Sequence, residues 1–414
     1  MTIRLWKGYH SPDLAPLISQ CWQEGILLIL CPPHLQDFSF LTVLPAGSLE
    51  FFGSWTASER GAIEATTRSG FAQFPSSPAL GVFTSGTLSA SPRLVLYSKK
   101  NVLASLESIL NLFDRSRIQH LFCYPQAFHT FGLTLGYLAA QIMDWELHTP
   151  VGQYGSASHA QRVALRESGV LTLGTPTHFF DLISYVENTA ADIQPSYSCI
   201  MGGASVSRNL WRRVQQVLQI EAPSIGYGCT EATPGITHLA PGKEPFGDDE
   251  IGFPLKSIHA RILPDGAEIQ GDSLCMAIVQ NGRIEYPNTL VIRDRIEVAP
   301  SGMWHYRGRL DLLMNRGGAK ISLEAIEKTL FERLGITAVA CSVRDPRLGE
   351  DLALAMMEGS EKFFADAGAV LQEVYSLKLS PQRTRFVNEF PLNECSKLDR
   401  KTVRTLFQEE SSPL

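Results

Sequence analysis

The chain lacks any hydrophobic run long enough to cross a bilayer. Its longest apolar run near the start, Ile26 to Cys31, falls far short of the ~20 residues a membrane helix needs. No basic stretch precedes that run, so it does not read as a secretory leader. Of the 8 cysteines none forms a Cys-x-x-Cys pair, and several sit within apolar runs. That pattern predicts reduced, buried thiols and a cytoplasmic enzyme, not a disulfide frame or zinc site. The 10 histidines include no His-Glu-x-x-His spacing. A positive excess is missing too: the net charge is −6, and the sequence pI of about 6.0 gives no electrostatic footprint for nucleic acid. The Gly-x-x-x-x-Gly-Lys-Ser/Thr phosphate loop is also absent.

What is present is bulk. At 414 residues and 44% hydrophobic, the chain can bury a large core and is expected to split into at least two domains. Its most informative stretch runs from Leu80 to Tyr97. Apolar Leu80–Phe83 and Leu94–Tyr97 read as two strands. Between them Thr84-Ser85-Gly86-Thr87-Leu88-Ser89-Ala90-Ser91-Pro92-Arg93 offers hydroxyls, a glycine and little bulk. Such a loop can turn backbone N–H groups and hydroxyls toward a polyphosphate.

The remaining elements alternate. Ile26–Leu30 reads as a strand, Leu41–Leu44 as another, and Ser58 as the cap of a helix running past Gly61. Ser98 caps a helix with apolar positions from Val102 to Phe113. Ile118–Tyr124 is a strand, followed by the loop Pro125–Leu133 with Phe128-His129, then a helix over 134–143. A strand ends at Gly174, and another meets Gly202-Gly203-Ala204. Gly252-Phe253-Pro254 reads as a turn, and 258–279 as a small antiparallel sheet. Beyond residue 311 comes a small α+β domain with helices at 323–334 and 365–377 and strands at 337–343 and 384–387. The fold class is α/β: a large body of α/β layers with a small β-sheet subdomain, plus a small C-terminal α+β domain.

Thr84-Ser85-Gly86-Thr87 followed by Pro92-Arg93 resembles the AMP-binding signature of the adenylate-forming superfamily, which includes acyl-CoA synthetases, adenylation domains and luciferases. The resemblance extends over residues 80–405. Phe128-His129-x-x-Gly132-Leu133, Gly202-Gly203-Ala204, Gly226-Tyr227-Gly228-Cys229-Thr230-Glu231, Asp294, Gly308-Arg309-Leu310-Asp311, Gly317-Gly318 and Lys397 follow in the family's order.

The resemblance implies a role for each. Thr84, Ser85, Gly86 and Thr87 hold the β- and γ-phosphates of ATP. His129 borders the acyl pocket. Gly203 and Ala204 edge the adenine and acyl pockets; in Gly226-Tyr227-Gly228 the tyrosine stacks on adenine. Thr230 meets a phosphate and Glu231 holds Mg2+. Asp294 grips the ribose hydroxyls, beside Arg309. Asp311 is the hinge residue, Gly317 and Gly318 face CoA, and Lys397 is the catalytic lysine, with Lys401 on a solvated face.

The implied domains are an adenylation body over 1–308, a hinge over 309–311 and a mobile domain over 312–414. The implied reaction is that of an acid–thiol ligase: a small carboxylic acid plus ATP gives an acyl-adenylate and pyrophosphate, then a thioester with CoA. A compressed front end resembles that of o-succinylbenzoate–CoA ligases of menaquinone synthesis, with another aryl acid next in order. Loading of a carrier-protein phosphopantetheine, and a decayed non-catalytic acyl- or nucleotide-binding protein, are the alternatives. No nucleic acid or membrane span is expected, and a homodimer stays open. The chain departs from the pattern at Leu88-Ser89, at Arg93 in place of lysine, at Arg293 and at Ser396.

Overall fold

Parallel β-sheet organises most of the chain. The computed structural model describes residues 2–66, 74–85, 92–150, 154–317, 319–393 and 398–407. Leu27–Cys31, an uninterrupted apolar strand buried throughout, pairs in parallel with Ile3–Lys7 and Leu80–Ser85. A strand buried on both faces has no need to alternate. The resulting sheet has seven strands in the order Arg283–Glu285, Ala277–Gln280, Pro92–Tyr97, Leu80–Ser85, Leu27–Cys31, Ile3–Lys7, Leu49–Gly53. A nine-stranded sheet carries the parallel run Glu146–His148, His120–Cys123, Val170–Gly174, Ser196–Gly202 and Ile220–Gly228, continued by Gly235–Leu239 and Glu250–Pro254 in antiparallel sense. Helices Lys99–Leu110, Pro176–Thr189 and Arg208–Gln216 bury one apolar face each. This is the expected α/β grammar.

The chain divides into two compact units. One comprises 1–263, 267–292 and 296–306; the other comprises 264–266, 293–295 and 307–414. The second unit has its own core of Met314, Ile326, Leu330, Leu354, Met356 and Leu371. Its strands run in the order Ala319–Ser322, Leu313–Arg316, Gly349–Met357, Ala338–Asp345, with Thr384–Val387 added beside Gly349–Met357.

Several local expectations need correction. Ser39–Val43 is a 3-10 turn and not a strand, because Asp37 Oδ1 accepts from Ser39 N at 2.8 Å and Thr42 Oγ1 donates to Ser39 O at 2.8 Å. Side chains that bond their own backbone compete with sheet pairing. The helix expected at Ser58 is capped two residues earlier: Thr56 accepts from Glu59 N, and Glu59 answers Thr56 N, closing a capping box. The helix over 134–143 begins as a π-helix, Phe131–Leu138, before Ala139–Met143. Ala277–Gln280 belongs to the seven-stranded sheet and not to the small sheet of His259–Leu263, Gly266–Gln270 and Leu290–Ile292. Gly252-Phe253-Pro254 is strand and not turn. Gly252 (φ +90) lies so near the next strand that a Cβ would sit 2.0 Å from His238 C. Only glycine allows that approach.

Among the described residues, seven cysteines are free and six of these are buried. No described helix is long and apolar enough to cross a membrane.

Candidate active site

Open parallel sheets bind ligands where the strands end, in the crevice beyond their carboxyl edges. In the first unit, four successive parallel strands end in segments singled out by the sequence. His120–Cys123 leads into the loop with Phe128-His129. Val170–Gly174 leads to Thr175 and the helix from Pro176. Ser196–Gly202 leads to Gly203-Ala204, both exposed. Ile220–Gly228 leads to the short turn Thr230–Ala232.

These segments touch. Gly202 pairs with Gly226 across the strands. A Cβ on Gly202 would lie 3.6 Å from the Phe131 ring, and one on Gly203 would lie 3.5 Å from Thr175 Cγ2. Gly228 is the tightest point: a Cβ there would fall 1.7 Å from Pro234 O. Tyr227 keeps a half-buried ring, 6.0 Å between centroids from Tyr306. His129 is half-buried, with its ring 4.6 Å from that of Phe128. Phe128 in turn meets Tyr9 at 6.2 Å.

The hydroxyl-rich hairpin joins this region through Glu231. Leu80–Ser85 and Pro92–Tyr97 pair antiparallel, with Thr84 opposite Arg93. Arg93 Nη2 donates to Glu231 Oε1 at 2.6 Å. Tyr97, fully buried, donates to Thr230 O at 2.7 Å, and Cys275 N donates to Glu231 O at 2.8 Å. Burial pushes the Tyr97 phenol far up, so it stays a neutral donor. Glu231 is only 6% exposed, so its carboxylate needs the guanidinium beside it. Thr84 is buried as well. Gly86 and Thr87 lie outside the described residues, and only the backbone of Ser85 is described.

Among the described residues, buried Arg93 Nε has no hydrogen-bond partner. Unpaired buried donors are costly and rare. A phosphoryl oxygen is the acceptor such a guanidinium takes well. The donor set therefore fits a polyphosphate, and the oxygens of Glu231, Thr84 and Thr230 fit a hard cation riding on it.

Asp294, Arg309, Asp311 and Gly317 belong to the second unit. Asp294 opens the strand Asp294–Val298, half-buried. Arg309 N donates to Glu324 Oε2 at 3.1 Å. Of Asp311 only the backbone, in a 3-10 turn, is described; Gly317 is exposed. Gly318 and Lys397 lie outside the described residues. The segments on either side of 394–397 are anchored: Asp399 N donates to Pro391 O at 2.8 Å, and Arg400 pairs with Glu327, whose Oε2 it meets at 2.7 Å. Lys401 is exposed on the helix Arg400–Thr405.

Sequence reading missed three features. Arg93 was noticed as a departure, but its pairing with Glu231 joins positions 138 residues apart, and no local pattern signals it. His238 packs beneath Gly226, its Nε2 3.1 Å from Ser224 Oγ. Tyr124 stacks on His178 at 5.1 Å, and Tyr154 donates to Asp181 at 2.6 Å, which builds a half-buried polar-aromatic group around the buried Tyr124, next to the His129 loop.

A family model described as AMP-binding enzyme matches residues 50–273, more than half of the chain. The chain belongs to the AMP-binding enzyme family. Among curated relatives, a methyl-dioxo-octahydro-indenyl propanoyl:CoA ligase of Mycobacterium tuberculosis is 25% identical over 377 residues, covering 86% of this chain and 72% of that one. A 4-chlorobenzoate–CoA ligase of an Arthrobacter species is 26% identical over 357 residues, 80% of this chain and 66% of the other. The chain thus spans about two thirds of these relatives' length. Among solved structures, o-succinylbenzoate CoA synthetase (MenE) from Bacillus subtilis, in complex with the acyl-adenylate OSB-AMP, superposes with a TM-score of 0.74 at 15% identity, covering 97% of this chain and 88% of that one. ATP-bound MatB from Rhodopseudomonas palustris gives 0.74 at 15% identity, covering 100% and 90%. The α/β fold is that of the adenylate-forming enzymes, as the motifs implied.

Proposed function

We propose that the protein is an AMP-forming acid–thiol ligase that activates an aromatic carboxylic acid and transfers its acyl group to CoA. The observation that carries this reading is the Arg93–Glu231 pair at 2.6 Å, with Arg93 opposite Thr84 and its buried Nε without a partner among the described residues.

A carboxylate cannot expel oxide, so it must first be joined to a better leaving group. In the first half-reaction one carboxylate oxygen attacks the α-phosphorus of ATP. The bond from that phosphorus to the bridging oxygen breaks, and pyrophosphate leaves with the electron pair. Two anions must approach, so positive charge has to be in place beforehand. Arg93 supplies it from the body, and Lys397 supplies it from the second unit. Thr84, Ser85, Gly86 and Thr87 hold the β- and γ-phosphates. Mg2+, when bound through Glu231, would supply further neutralisation of the phosphate oxygens.

Tyr227 offers a ring face to adenine, Thr230 a hydroxyl to phosphate, and Asp294 a carboxylate that accepts from both ribose hydroxyls. The exposed backbone of Gly203 and Ala204 borders the nucleotide. Arg309 and Asp311 form the hinge between a body over 1–308 and a domain over 312–414. After adenylation the hinge swings Lys397 away and brings the face of Gly317 and Gly318 to the site, where a pantetheine thiol attacks the acyl carbonyl and AMP leaves. Rotation about a few hinge residues is a common way to alternate two sites.

The aromatic surroundings of His129 support a flat acid. The chlorobenzoate ligase among the relatives supports the same class, and o-succinylbenzoate heads the candidates. A panel of acids in a pyrophosphate-release assay, with CoA as sole acceptor, tests the reading. Aryl acids should give both pyrophosphate and thioester. Pyrophosphate without CoA thioester would favour a carrier-protein acceptor, and no acid-dependent pyrophosphate with any acid would overturn the reading.

A further inference from the structure

Far along the nine-stranded sheet from Glu231, its edge strand carries a second group of ligating side chains. His120 opens the strand His120–Cys123, and Glu146 and His148 lie on its parallel neighbour Glu146–His148. His120 pairs with Glu146 and Phe122 with His148, so the three share one face of the sheet. His120 Nδ1 is 3.2 Å from His148 Nε2 and 3.4 Å from Glu146 Oε2, and His148 Nε2 is 3.6 Å from Glu146 Oε1. A tetrahedron with bonds of roughly 2.0–2.1 Å has edges of about 3.3–3.4 Å. One ligand atom from each of the three lies within 4.8 Å of the others, and Glu146 meets the two rings through different oxygens, so a small rotation of that carboxylate would bring one oxygen to a shared corner.

We propose that His120, His148 and Glu146 form a zinc site that ties the edge strand to its neighbour, with water in the fourth position. Nothing in the adenylation chemistry uses these residues. Two imidazoles and a carboxylate are the ligands of a borderline cation such as Zn2+, whereas Mg2+ and Ca2+ prefer oxygen throughout. Glu167 Oε2 stands 3.7 Å from His120 Nε2, on the side of the ring away from the other ligands. A carboxylate there favours the tautomer with its proton on Nε2 and leaves the Nδ1 lone pair facing the site. The imidazoles are 18% and 25% exposed, so an ion can reach them without unfolding. A two-histidine hydrogen bond alone would account for the 3.2 Å contact but not for the carboxylate in reach of both rings.

The test uses the tag-free full-length chain, stripped with a chelator and titrated with Zn2+ in a calorimeter and with Co2+ by visible absorption. The expected result is one equivalent bound, with the intense d–d bands of tetrahedral cobalt and no sulfur charge-transfer band. His148→Ala and His120→Ala should each weaken binding at least a hundredfold. Glu167→Gln, a positioning change, should weaken it about ten- to a hundredfold while preserving the cobalt spectrum. Circular dichroism of the stripped variants checks folding, and His148→Gln, the milder change, serves if an alanine variant fails. No binding by the wild type, equal binding by a folded His148 variant, or a thiolate band each overturns the proposal.

Discussion

In the proposed reading, Glu231 and Arg93 matter most at the scale of single residues. A buried carboxylate held by one guanidinium is costly to leave alone, so Arg93→Met should lower the stability of the first unit by about 3 kcal/mol, read from denaturant midpoints. A stability equal to wild type would mean that water, and not Arg93, compensates Glu231. Glu231→Gln removes the charge instead of stranding it. It should leave the fold intact and slow ATP–pyrophosphate exchange about 10²–10³-fold, the usual cost of losing a preorganised electrostatic group.

The buried histidines give a prediction of different sign. Desolvation lowers His10 to about 4 and His238 to about 3, below the unfolded value of 6.5. Their folded forms bind fewer protons than the unfolded chain. The stability they contribute is therefore complete above about pH 6.5 and is lost as pH falls toward those lower values, by about 1.4 kcal/mol per pH unit for each. Urea unfolding between pH 6.5 and 4.5 should be less steep in pH for His238→Gln than for wild type by about one proton. Parallel pH profiles would show that His238 is solvated enough to titrate normally.

Among the elements, the sequence spoke most clearly where local chemistry and tertiary need agree. Ser98 was legible as a cap because a serine stands just before an apolar-periodic run; the structure adds Asn101, which closes the capping box. The strands Leu80–Ser85 and Pro92–Tyr97 were legible from their apolar runs, while Gly86 and Thr87 lie outside the described residues. Elsewhere two local signals competed. Thr56 was hidden by Ser58, since both are good caps and only the reciprocal bond from Glu59 decides between them. Thr56→Ala should therefore cost about 1 kcal/mol and Ser58→Ala less than about 0.5 kcal/mol. Equal losses in thermal denaturation would return the cap to Ser58.

The wider turn of Phe131–Leu138 was illegible because its cause lies outside the segment: a Cβ at Gly132 would meet Pro125 O at 2.1 Å, and one at Gly136 would meet Cys123 Sγ at 2.5 Å. Gly252 was read as part of a turn for the same reason, since its neighbour His238 is remote in sequence. Of the candidate site, the residue types and their order were legible; the pairing of Arg93 with Glu231 was not, because it depends on two sheets meeting.

For the molecule as a whole, the proposed reading needs two half-reactions served by different faces of the second unit. Asp311→Pro, which restricts the hinge, should spare acyl-adenylate formation and impair thioester formation; an unchanged thioester rate would remove the hinge from the account. Within the second unit, Glu327 holds Arg400 and accepts from Ala340 N at 2.7 Å. The most direct measurement compares wild type with Lys397→Ala in two assays: ATP–pyrophosphate exchange with the best acid, and thioester formation from supplied acyl-adenylate and CoA. The account predicts a loss of about a hundredfold or more in exchange and near wild-type thioester formation, as expected for a charge that acts in one transition state only. Equal loss in both assays, or full exchange activity without the lysine, would contradict it.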